Sequence, residues 1–145
     1  MREIDEFSRT VGAMSCFNEM IATGCKNLAL GAPVSDVRLR DEHMEHAKLI
    51  CEKKGTQCCN EDGGFLTDLF PVSMNKDKFN ILFYSDIKYR DEYFAMKTRK
   101  EKLVAQGHYD SKERRKLAYD FGKLLSYSDE AIERMLANND ELEVF

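Results

Sequence analysis

The chain has 145 residues, of which 43% are hydrophobic and 33% charged, and its formal net charge is −4. This composition predicts one folded domain over residues 1–145, and the negative charge gives no general attraction to nucleic acid or anionic membranes. No apolar run approaches the roughly 18 residues that span a bilayer, and the N-terminus lacks the apolar core of a secretory signal. We therefore expect a cytoplasmic protein that makes no membrane contact and keeps its five cysteines reduced.

The first half of the chain predicts two helices that alternate with two short strands. Apolar residues recur at intervals of three and four over residues 4–21, which is helical spacing, and Gly24 is placed to end that helix. Residues 28–33 are short, apolar and closed by Gly and Pro, as in a buried strand. Residues 41–54 predict a helix with Asp41 as its N-cap and Gly55 as its stop, and residues 56–60 predict a second strand.

The second half predicts one central strand and three helices. The turn-forming residues 60–64 lead into residues 65–70, which we interpret as a hairpin partner strand that ends at Pro71. Residues 79–84, which are aromatic and branched, give the strongest strand signal and should lie centrally in the sheet. A helix follows over residues 87–106. Two more helices, opened by Asp110 and Ser128, should pack as a hairpin.

The order of these elements predicts an α/β fold. A βαβ crossover between residues 28–33 and 56–60 implies a small, partly parallel sheet of three to four strands packed with helices. The C-terminal helical hairpin, residues 110–139, would extend the same domain.

Five potential metal ligands or nucleophiles lie close together in the sequence: His43, His46, Cys51, Cys58 and Cys59. The two histidines should share a helical face, whereas adjacent residues of a strand point to opposite sides of a sheet. At most one of Cys58 and Cys59 could therefore join the histidines around an ion. Because the spacing matches no zinc motif, we predict no metal and no cofactor. The sequence by itself does not decide whether His43 and His46 bind metal together with Cys58 or Cys59.

Topology gives a second candidate site. In open α/β sheets ligands collect beyond the carboxyl ends of the strands, where this chain places short polar segments. Two arginines precede the second helix, whose free N–H groups favour an anion. The predicted ligand-binding residues are Ser35, Asp36, Arg38, Arg40, His43 and Asp86.

Charge is distributed unevenly toward the C-terminus. Residues 97–116 carry eight basic and three acidic residues, whereas residues 129–145 carry six acidic and one basic. An acidic leading end on the last helix would repel phosphates, so DNA binding is disfavoured. The two segments could instead pair within one molecule or between subunits of a homo-oligomer.

Two functions remain open from the sequence. The first is a non-catalytic module that binds a small anionic ligand or a protein partner, because no standard nucleotide, P-loop or hydrolase motif is present. The alternative is an enzyme that uses Asp36, Asp86 or His43 as acid or base, with Cys58 or Cys59 as nucleophile. Neither the ligand nor the oligomeric state can be read from the chain.

Overall fold

A computed structural model describes all 145 residues, which form six helices and three strands. In chain order these are α1 (Glu6–Ala22), β1 (Leu28–Leu30), α2 (Val37–Lys54), β2 (Gln57–Glu61), α3 (Val72–Asn75), β3 (Asn80–Tyr84), α4 (Ile87–Ala105), α5 (Ser111–Leu124) and α6 (Asp129–Asn138).

The sheet has three strands in the order β1-β3-β2, and both ladders are antiparallel. The predicted partly parallel sheet of three to four strands is therefore wrong. β1 and β2 do run in the same direction, because each is antiparallel to β3, but β3 lies between them. The crossover through α2 thus skips one strand position, as in split βαβ arrangements. The prediction that residues 79–84 form the central strand is confirmed.

Two local predictions also differ from the structure. Residues 65–70 form no strand, since the chain there turns into the short helix α3, and Phe65 and Leu69 serve as buried core residues instead. Helix α2 begins at Val37 rather than after Asp41, because the Asp36 side chain accepts a hydrogen bond from the Arg38 N–H and caps the helix one turn earlier.

Helices cover both faces of the sheet. Alternate residues of β3 point to opposite sides, so Leu82 and Tyr84 pack with α4, α5 and α6, while Ile81 and Phe83 pack with α1 and α2. Leu117, Phe121 and Ile132 of the C-terminal helices belong to the first of these cores. The predicted helical hairpin is confirmed, and its two helices meet where Ile132 packs against Gly122.

The helix ends follow ordinary capping chemistry. Asp110 accepts a hydrogen bond from the Glu113 N–H, and Ser128 accepts one from the Ala131 N–H, as their positions in the sequence predict. Gly55 ends α2 with φ 75°, a left-handed conformation that glycine adopts without strain. The turn after Gly55 brings β2 back beneath α2.

The basic and acidic segments near the C-terminus meet within one molecule. Lys100 pairs with Glu143, and Arg115 pairs with Glu133. Arg114 also donates to the main-chain oxygen of Glu143. The intramolecular form of the predicted pairing is confirmed.

None of the helices combines the length and the apolar character that crossing a membrane requires. All five cysteines are free thiols, as the sequence predicts.

Candidate functional site

The antiparallel sheet separates the residues that the sequence analysis grouped at strand ends. The end of β1 and the end of β2 both lie beside Asn80, at the start of β3, whereas Asp86 follows the opposite end of β3. Five residues of extended chain place these ends roughly 13 Å apart. Asp36 and Asp86 are both exposed, and each caps its own helix through a main-chain N–H.

Of three further predicted ligand-binding residues, Ser35 and Arg40 form hydrogen bonds within the protein, and Arg38 is exposed to solvent. Ser35 is exposed and accepts a hydrogen bond from Lys78 Nζ at 2.7 Å. Arg38 is exposed. Arg40 is 3% exposed, and its guanidinium donates to the main-chain oxygens of Glu61 and Asn80 and to the carboxylates of Asp41 and Asp62. Arg40 therefore joins α2 to the ends of two strands.

The His/Cys cluster divides between two sides of the sheet. His43 is buried, and both His43 and His46 pack against the ring of Phe7, which confirms that they share a helical face. Burial lowers the pKa of His43. Cys58 packs in the core with α1 and α2, whereas Cys59 packs in the other core. No three His, Cys, Asp or Glu side chains converge closely enough to hold a metal ion.

The cavity with the most distinctive chemistry lies along β1, one of the two edge strands of the sheet. Its volume is about 160 Å³. None of the predicted ligand-binding residues lines it. Its lining comes from four places in the chain: Phe17 on α1; Lys26, Ala29, Leu30, Gly31 and Pro33 in and around β1; Phe70, Met74, Asn75 and Asn80; and Leu125 and Tyr127 after α5.

Lys26 supplies the charge of this cavity. Its Nζ donates to the main-chain oxygen of Leu125 at 2.6 Å and lies 5.0 Å from the centre of the Tyr127 ring. No carboxylate pairs with Lys26, and burial lowers its pKa. An ammonium group has three protons to donate, so the bond to Leu125 leaves two for a ligand. The cavity thus combines an unpaired, half-buried cation with apolar walls.

Two buried amides add polar groups to the same wall. Asn75 and Asn80 are each 6% exposed and line the cavity. Oδ1 of Asn80 accepts from the Ile81 N–H at 2.8 Å, which leaves the NH₂ group of Asn80 free to donate. Gly31 lies against Asn80, and a Cβ added there would come within 2.9 Å of that Oδ1. Burial raises the pKa of Tyr127, so its phenol stays protonated and can donate.

A larger groove between α4 and α5, about 520 Å³ in volume, is a weaker candidate. Its Arg99 donates to Asp120 at 2.9 Å, so the charge of that arginine is already compensated. The groove is also more open to solvent than the cavity beside β1. A compensated charge and an open surface do not favour the binding of a small ligand.

Sequence reasoning missed Lys26, Asn75 and Asn80 as site residues. Lys26 lies in a loop between a helix stop and a strand, where lysine is common, and no spacing connects it with Asn75 or Asn80. Gly31 gave only a weak signal as an isolated glycine after an apolar strand.

Comparison of the chain with protein-family models, curated proteins and solved structures finds no match.

Proposed function

We propose that this protein is a non-catalytic binding module that holds a small organic anion in the cavity beside β1. The observation that carries the proposal is the Lys26 ammonium, which lines an apolar cavity and has no carboxylate partner. A half-buried charge without a partner is costly, and an anionic ligand would compensate it with charge-assisted hydrogen bonds. The NH₂ group of Asn80 and the phenol of Tyr127 are further donors that line the same cavity.

The size of the cavity limits the ligand. A cavity of about 150 Å³ accepts a molecule such as benzene. The apolar walls from Phe17, Leu30 and Phe70 suit a flat, apolar body, and the donors suit a carboxylate at one end. A short aromatic carboxylate of the size of benzoate satisfies both requirements.

The lining supports binding rather than catalysis. No carboxylate, imidazole or thiol lines the cavity, so the commonest general acids and bases are not among its lining residues. The acids named for the enzymatic alternative cap helices, and His43 lies against Phe7. The free thiols favour a reducing compartment such as the cytoplasm. A protein partner and a homo-oligomer stay predictions.

Titration with benzoate, followed by the amide NMR signals of Gly31 and Asn80, tests the proposal. We expect saturable binding with a dissociation constant on the order of 0.1–1 mM, as for other ligands of about nine heavy atoms. Benzamide, which has the same shape without the charge, should bind more weakly. Lys26→Met should weaken benzoate binding at least about tenfold, because it removes a charge-assisted hydrogen bond.

Lys112→Met is the matched control. Lys112 is exposed on α5 and does not line the cavity, so this variant loses the same charge elsewhere on the molecule. It should bind benzoate with unchanged affinity. Equal affinities of Lys26→Met and Lys112→Met, or signal changes that spare the cavity, would contradict the proposal.

A further inference from the structure

Residues 139–145 run across the surface of α3, α4 and α5 as an acidic segment that contains no helix or strand. The Glu141 carboxylate accepts hydrogen bonds from the main-chain N–H and from the hydroxyl group of Ser73, each at 2.9 Å. The Glu143 carboxylate pairs with Lys100. Two carboxylates therefore hold the acidic segment at two separate points.

The surface beneath the second of these points is basic and aromatic. Lys100 and Arg114 lie 5.6 and 5.3 Å from the centre of the Tyr109 ring, and we call these three residues the cation groove. Other groups hold both cations, because Lys100 Nζ donates to the main-chain oxygen of Leu66 and Arg114 forms two hydrogen bonds with Asp68. The positions of the two cations thus do not depend on the acidic segment alone.

The acidic segment contacts this surface through alternate residues. Beyond its two glutamates, the ring of Phe145 lies 5.7 Å from the ring of Tyr109, centre to centre. The residues between these contacts, Leu142 and Val144, are 48% and 91% exposed. Successive side chains of an extended chain point to opposite sides, so the residues that make contact follow the pattern acidic-x-acidic-x-aromatic.

The acidic segment fills the surface incompletely. Phe145 is still 68% exposed, and open grooves of about 410 and 430 Å³ flank the segment, one beside Glu143 and one beside Leu142. The hydroxyl group of Tyr109 is buried and has no hydrogen-bond partner. A longer chain with the same pattern of side chains would bury more of this surface than the acidic segment does.

We propose that the cation groove is a docking site for an extended acidic segment of another protein, which residues 139–145 occupy until that partner binds. The partner carries two carboxylates two residues apart and an aromatic residue two positions further on. Charge-assisted hydrogen bonds from Lys100 and Arg114 recognise it, and the flanking grooves accept its neighbouring residues. This inference is independent of the cavity beside β1.

The test uses a fluorescein-labelled peptide that copies residues 138–145 and stands in for the partner. The full chain with Glu141→Gln, Glu143→Gln and Phe145→Ala, the released variant, loses the side-chain contacts that compete for the groove. We expect the peptide to bind the released variant about tenfold more tightly than the unsubstituted chain, as measured by fluorescence anisotropy. In the unsubstituted chain the tethered segment competes at an effective concentration that is roughly millimolar. Circular dichroism should show the same helix content in both proteins.

Matched variants and a matched peptide locate the binding site. Lys100→Met in the released variant should weaken peptide binding at least about tenfold, because it removes a charge-assisted hydrogen bond. Lys102→Met, two residues further along α4, removes an exposed lysine outside the groove and should leave the affinity unchanged. A peptide with both glutamates replaced by glutamine tests the same charges without any change to the protein, and it should bind at least about tenfold more weakly.

Three results would overturn the proposal. The first is a folded released variant that binds the peptide no more tightly than the unsubstituted chain. The second is an equal loss of affinity in Lys100→Met and Lys102→Met. The third is a dimer of the unsubstituted chain, seen by light scattering and lost in the released variant, because the occupant would then be the acidic segment of a second copy.

Discussion

At the scale of single residues, Arg40 shows how a side chain that looks like a ligand contact becomes a structural one. Its guanidinium is buried and serves two main-chain oxygens, while its carboxylate partners Asp41 and Asp62 remain mostly hydrated. The planar group with several donors can reach all of these acceptors at once, which a lysine could not do. Arg38, two residues earlier, is exposed, so replacing Arg38 is a control for replacing Arg40.

We expect Arg40→Met to lower the free energy of unfolding by about 2–4 kcal/mol, because two buried main-chain oxygens lose a charged donor. Arg38→Met should change it by less than about 0.5 kcal/mol. Urea denaturation of both variants measures the difference. If Arg40→Met were as stable as Arg38→Met, the structural role assigned to Arg40 would be wrong.

Tyr109 gives a prediction about alkaline pH. Burial, together with the nearby charge of Asp68, raises the pKa of Tyr109 to about 12, and its hydroxyl group has no hydrogen-bond partner. The folded state therefore holds a proton that the unfolded state loses near pH 10, so this residue's contribution to stability falls as the pH rises from about 10 to about 12. The Tyr109→Phe variant should lack this fall in the free energy of unfolding between about pH 10 and about pH 12. Its phenolate absorbance should show one fewer tyrosine that titrates above the ordinary pH range.

At the scale of elements, the close contact of Gly64 with α3 fixes one wall of the cavity. A Cβ on Gly64 would come within 1.9 Å of the main-chain oxygen of Asn75, whereas one on the neighbouring Gly63 would meet nothing within 4 Å. The segment before α3 can therefore pack on Asn75 only where a side chain is absent. Asn75 in turn lines the cavity.

We expect Gly64→Ala to lower the free energy of unfolding by about 3 kcal/mol, since main-chain atoms must move to relieve the overlap. It should also weaken benzoate binding, because Asn75 moves with α3. Gly63→Ala should be close to neutral in both measurements. Thermal unfolding with and without benzoate tests both effects, and a stable Gly64→Ala protein would show that the contact is not as tight as described.

At the scale of the whole molecule, β3 joins the two cores. Neighbouring residues Leu82 and Phe83 are fully buried, but each belongs to the core on a different face of the sheet. All six tyrosines lie in or against the core with α4, α5 and α6. Tyrosine fluorescence thus reports one core, whereas circular dichroism reports the helices of both.

We expect Leu82→Ala and Phe83→Ala each to lower the free energy of unfolding by about 3–5 kcal/mol through the cavity that each creates. The fluorescence and circular dichroism transitions should still coincide in both variants, because neither core can unfold without losing its part of β3. Transitions that separate in Phe83→Ala would show that the two sides of the sheet unfold independently.

The sequence alone determined those features that depend on neighbouring residues. Helix caps at Asp110 and Ser128, the stop at Gly55 and the buried character of β3 follow from local hydrogen bonding and from apolar spacing. The opposite orientations of Cys58 and Cys59 follow from the alternation of side chains along a strand. Most element positions could therefore be read correctly, although α2 begins earlier than predicted.

Tertiary structure decided the direction and order of the strands, and with them the site. The sequence predicts a central β3, but local patterns do not distinguish a crossover to an adjacent strand from one that skips a position, so the antiparallel pairing of β3 with both β1 and β2 could not be read from the sequence. That placement carries Asp86 away from Asp36 and assembles Lys26, Asn75 and Asn80 around the edge of β1. The cavity joins residues about a hundred positions apart in the chain, and only packing brings them together.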